Sequence, residues 1–159
     1  MKKNFLWSML AAVMVAMLSV SFASCSSDDD DNKGSENVAI SAKNMVGTWG
    51  LVHSEGWEIW QGQKETFNDT YDPLNPKTDE DEKMEITNPS GNSLYFVTYE
   101  WDEIFKEWDS DTRFTLTLEG NNLTGGGMDL KVLSLTTDQM VLEMSSDSFY
   151  NKQTYKKLN

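Results

Sequence analysis

The sequence predicts an all-β domain over residues 44–159, and three features carry that reading. Short runs rich in β-branched and aromatic residues recur along this stretch; Gly, Asn, Asp and Pro separate them; and no long apolar repeat of period 3.6 competes with them. About eight runs at this spacing suit an antiparallel up-and-down barrel or a sandwich.

The elements follow in order. Val46–His53 reads as the first strand, with Glu55–Trp60 continuing or bending it. The polar stretch Asn68–Glu82, holding Pro73 and Pro76, reads as a long loop. Lys83–Thr87 is a short strand, Asn88–Asn92 a turn, and Ser93–Trp101 a strong strand with a hairpin partner over Ile104–Trp108. Arg113–Leu118 alternates cleanly, placing Phe114, Leu116 and Leu118 on one face. Glu119–Asn122 is a turn suited to positive φ, and Gly125–Gly127 is a flexible turn with no Lys-Ser/Thr pair to make it a phosphate loop. Leu130–Leu135 and Met140–Met144 form a hairpin around Thr136–Gln139, and Phe149–Leu158 is the closing strand.

The N-terminal side has a different character. Lys2 and Lys3 precede an apolar run over Phe5–Val20, which has the length and flanks of a signal-peptide core and is short for a membrane span. The run ends in Phe22-Ala23-Ser24-Cys25, which resembles the lipobox of bacterial lipoproteins. That resemblance implies removal of residues 1–24 and acylation of Cys25, where several acyl chains at roughly 0.8 kcal/mol per buried methylene give a stable anchor. Asp28–Asp31 follow at once, and such adjacent like charges make residues 25–43 an acidic, disordered tether. The acidic run also resembles the surface-export signal of lipoproteins in Bacteroidetes-type Gram-negative bacteria. It implies an outer-membrane protein exposed at the cell surface, its membrane contact made through lipid; the alternative is a solvated spacer on a periplasm-facing lipoprotein.

Charge and composition exclude several classes of function. With 26 acidic against 13 basic residues the net charge is −13, and losing Lys2 and Lys3 with the leader makes it more negative. Such a surface repels phosphate backbones and anionic headgroups, so nucleic acid is not an expected partner. The single Cys precludes an internal disulfide. His53 is the sole His and has no nucleophile motif around it. The acids Glu55, Glu58, Glu100, Asp102 and Glu103 read as solvated charge rather than a glycosidase pair. Asp69, Asp72 and Asp79–Glu82 lack EF-hand spacing, as does Asp109-Ser110-Asp111. The expectation is therefore a monomer that is not an enzyme and carries no metal or cofactor.

A family resemblance sharpens the fold. Met45–Val52, with Gly47 and Trp49, resembles the Gly-x-Trp strand of lipocalins, and Lys131–Glu143 with Thr154–Leu158 is similar to the lipocalin-like lipoproteins of Bacteroidetes. The resemblance covers residues 44–158 and implies a lipocalin-like barrel of about eight strands, in which Trp49 caps one end beneath a late-strand cation. The only Arg is Arg113, so Lys156 or Lys157 is the expected substitute. Such a barrel is either filled by its own side chains or holds one small ligand. The candidate residues for a small hydrophobic or amphipathic ligand are Trp57, Trp60, Phe96, Trp101, Phe114 and Leu116. Two alternatives remain: a glycan-binding module using Trp57, Trp60, Trp101 or Trp108 as stacking faces, and a protein-partner role, inhibitory or structural.

Overall fold

The computed structural model describes residues 36–159, so the expected leader and Cys25 lie outside the described residues. Among the described residues one short helix, α1 (Ala42–Met45), precedes nine strands: β1 (Gly47–Trp60), β2 (Gln63–Thr70), β3 (Glu82–Ser90), β4 (Ser93–Asp102), β5 (Glu107–Glu119), β6 (Asn122–Gly125), β7 (Met128–Leu135), β8 (Gln139–Ser146) and β9 (Phe149–Lys157). Every pairing is antiparallel between neighbours, and β9 returns to β1 from Trp49↔Lys157 to Glu58↔Phe149. The result is a closed eight-stranded barrel, consistent with a lipocalin-like fold, with β2 as an extra strand. Closure leaves the barrel strands without a free edge.

Cross-strand partners share a face, so the buried rows define the interior. Trp49↔Met84, Ile86↔Phe96, Leu94↔Leu116, Leu118↔Leu123, Val132↔Leu142, Leu135↔Met140 and Met140↔Tyr155 run around the barrel. All of these side chains are at most 4 % exposed. At this end the barrel is filled by its own residues, as eight strands permit.

The same end is closed from below. Asn37 bridges to Thr136, Val38 N donates to Leu135 O, and Ser41 caps α1, which buries Ala42 and Met45 against the core. The segment expected as tether is thus packed on the barrel over 36–43, while 25–35 lies outside the described residues. Trp49 is fully buried, its indole Nε1 donating to Met45 O at 2.8 Å, and Lys157 Nζ lies 5.2 Å from its ring centroid. Lys157 therefore takes the place of the late-strand cation.

Several expected boundaries change, among them the turn at Asn88–Asn92, since β3 runs on to Ser90, and the stretch between the Glu119–Asn122 and Gly125–Gly127 turns, where Asn122–Gly125 pairs as β6. The first run is one strand, β1, carrying a bulge between Leu51 and His53. The long loop is shorter than expected, because Gln63–Thr70 pairs with β1 as β2 and only 71–81 stays irregular. Strand β2 escaped notice because it extends past the barrel, exposed everywhere but Phe67, and has no need of an apolar alternation. The hairpin partner expected over Ile104–Trp108 begins later: Glu103–Lys106 is the turn, with Lys106 at φ 57, and β5 starts at Glu107.

Candidate functional site

Alternation from the packed core identifies what lines the opposite end of the barrel. Strand β4 keeps Leu94, Phe96, Thr98 and Glu100 on the inner side. Its pairing Glu82↔Glu100 brings Glu82 of β3 inward as well. On β9 the inner row is Tyr155, Gln153, Asn151 and Phe149, and the bulge in β1 returns Ser54 to that side. Partners of inner residues extend the lining to Phe114 on β5, Met128 and Leu130 on β7, and Met144 on β8. Glu82, Glu100, Phe114, Met128, Leu130, Met144, Phe149 and Gln153 all point inward yet stay half-exposed. Inward direction with solvent access marks a mouth.

The mouth has two chemically different walls. From β5 round to β8 the lining is mainly apolar, with Phe114, Met128, Leu130 and Met144 and with Phe149 at the margin, while Asp109 at the β5 rim pairs with Glu100 on the polar side. From β9 through β1 and β3 to β4 it is polar: Asn151, Gln153, Ser54, Glu82 and Glu100. Phe114 stacks on Phe96, with centroids 5.1 Å apart and planes at 9°, which joins the apolar wall to the core beneath.

The polar wall is hydrogen-bonded. Ser54 Oγ donates to Asn151 Oδ1 at 3.0 Å, and both residues are buried. Tyr155 OH lies 3.0 Å from Glu82 Oε1 and 3.2 Å from Gln153 Oε1, two acceptors facing one hydroxyl hydrogen. Burial, with the nearby charges of Glu100 and Asp111, pushes the Glu82 carboxyl up to about 7 against the opposing pull of the Tyr155 bond. Glu100 is raised by burial and by Asp111 and Asp79. The loop 71–81 closes the polar side. Tyr71 N donates to Val52 O, Trp101 N donates to Asp81 O, and Asp81 Oδ2 accepts from Lys77 N and Thr78 N at 2.8 and 3.0 Å. Tyr71 titrates near 12, raised first by burial and then by Asp69, Glu80, Glu82 and Asp81.

The six candidate residues do not form one surface. Phe96 and Leu116 sit in the packed core, 1 % and 0 % exposed. Phe114 lines the mouth. Trp101 points outward on β4, edge-on to Trp108 at 5.5 Å and 71°, while Lys83 Nζ lies 4.9 Å from both the Tyr99 and Trp108 rings. Trp57 lies on the outer face of β1 with Lys64 Nζ 4.2 Å from its ring centroid, and Trp60 ends that strand 41 % exposed. His53 faces outward beside Asn68, its Nε2 3.2 Å from Oδ1. Among the described residues no group of three or more His, Cys, Asp or Glu is placed to hold a metal ion. Sequence reasoning missed Met128, Leu130, Met144, Phe149 and Gln153 as mouth residues; their two-residue alternation shows in the sequence, but which side faces inward depends on the bulges in β1 and β7.

No family model matches this chain, and no curated protein sequence matches it.

Proposed function

We propose that this chain is a lipid-anchored binding protein of the bacterial cell surface, whose lipocalin-like barrel takes a small amphipathic ligand at its half-open end. The observation that carries the reading is the two-walled mouth: Phe114, Met128, Leu130 and Met144 oppose Glu82, Glu100 and Gln153 above a core already filled. An apolar body resting on the first wall keeps its polar end against hydrogen-bonding groups on the second, so neither part is desolvated without a partner. The filled core favours a shallowly seated ligand over one swallowed whole. Placement at the membrane rests on Phe22-Ala23-Ser24-Cys25 and the acidic run after it.

Titration with the neutral amphipathic dye N-phenyl-1-naphthylamine tests the mouth. Fluorescence should rise saturably for the parent chain and fall at least tenfold in apparent affinity for Met144→Trp, which fills the apolar wall. Equal binding by both forms, or none by either, would overturn the reading.

A further inference from the structure

A second surface lies outside the barrel, where β2 extends the sheet and, among the described residues, no helix or loop covers it. At one level across three strands the outward residues are Thr66, Trp57 and Tyr150, paired Trp57↔Thr66 and Trp57↔Tyr150. The next level carries Asn68, Glu55, Lys152 and Glu143 through Glu55↔Asn68, Glu55↔Lys152 and Glu143↔Lys152. A groove of about 490 Å³ opens here, lined by Glu55, Trp57, Thr66, Asn68 and Tyr150 with Gly56 among them. We infer that this groove is a saccharide-binding face for an uncharged polysaccharide, distinct from the mouth of the barrel.

Three features of the face select that ligand class. Trp57 and Tyr150 supply flat apolar rings beside Asn68, Thr66 and Glu55, the mixture needed to stack on a sugar ring while pairing its hydroxyls. The ring of Trp57 is braced by Lys64, which does not line the groove, so its position is set before a ligand arrives. The one carboxylate among the lining residues is paired: Lys152 Nζ bonds Glu55 Oε1 at 2.8 Å, and beside it Tyr150 OH donates to Glu143 Oε2 at 3.3 Å. A chain of net charge −13 repels a polyanion, and a groove whose carboxylate is already paired offers that polyanion no free cation, which leaves an uncharged polymer as the fitting class.

Affinity electrophoresis of the full chain through gels containing soluble β-glucan, mannan or xylan, with alginate as the anionic contrast, tests this directly. At least one neutral polymer should retard the protein. Trp57→Ala and Thr66→Trp, the latter at an exposed position and filling the groove, should each weaken retardation at least tenfold, whereas Trp101→Phe on another face should leave it unchanged. Dye binding at the mouth should persist in Thr66→Trp, which separates failure of this surface from failure of the mouth. No retardation by any neutral polymer, retardation by alginate alone, or retardation unaffected by Thr66→Trp would each overturn the inference.

Discussion

Lys157 Nζ sits 5.2 Å from the ring centroid of Trp49, its cross-strand partner, where the first and last strands of the barrel meet. The pair joins sequence positions at opposite ends of the domain, so it reports on closure rather than on any one hairpin. Trp49 is also tied to α1 through its bond to Met45 O. Trp49→Ala is expected to cost about 3–5 kcal/mol, as large aromatic truncations in cores do. Lys157→Met keeps the apolar stem, loses the cation, and should cost about 0.5–2 kcal/mol. Urea denaturation of the two variants against the parent measures both.

Two tryptophans should respond unequally to removal of the indole N–H. Trp101 Nε1 is buried without a hydrogen-bond partner among the described residues, whereas Trp49 Nε1 has one at 2.8 Å. Replacing an orphaned donor by carbon offsets the lost ring area, so Trp101→Phe should change stability by less than about 1 kcal/mol. Trp49→Phe strands the Met45 carbonyl and opens space in the core, so about 2 kcal/mol should be lost. Equal losses in the two melts would contradict this account of the two sites.

Glu82 makes the barrel sensitive to pH in a definite direction. Its carboxyl titrates near 7 in the folded chain against an ordinary 4.5, because burial and the neighbouring Glu100 and Asp111 disfavour its charge. The folded state therefore binds more protons than the unfolded one between those values. The stabilisation is complete below about 4.5, declines as pH rises through the window, and is gone above about 7. Partial contact with water limits it to about 2 kcal/mol. Glu82→Gln should flatten the difference between stability at pH 5 and pH 7.5; an undiminished difference would place the titration elsewhere.

Gly56 marks a close approach between strands. A Cβ there would run into the backbone oxygen of Tyr150 and come within 2.8 Å of Phe67 Cζ. Gly56→Ala should destabilise the chain by about 1–3 kcal/mol through forced separation of β1 from β9. Thermal melts would show it, with Thr66→Ala on the exposed face of β2 as the variant that should change little.

The sequence revealed the barrel well and its mouth poorly, for a physical reason. Strand identity depends on local alternation, as in Arg113–Leu118, and the pairing of Trp49 with a late cation followed from the resemblance to lipocalins. Bulges at Leu51/His53 and Val132/Ser134 flip which residues face inward, and such shifts leave no composition signal. Strand β2 shows the other limit: a strand held by a single neighbour, with almost every side chain in water, has no apolar pattern to display. The candidate aromatics were visible as residues, but only register sends Phe114 to the mouth, Phe96 to the core, and Trp57 and Trp101 outside.

The most direct test of a lipid-anchored chain with an amphipathic ligand at its mouth is native mass spectrometry of protein purified from the membranes of its own host. The predicted spectrum has the mass of residues 25–159 plus covalent acyl groups, and a further small mass that leaves on gentle activation. The Met144→Trp form should keep the covalent addition and lose the removable one. A parent chain that carries no removable mass, or a Met144→Trp chain that retains it, would contradict the central claim.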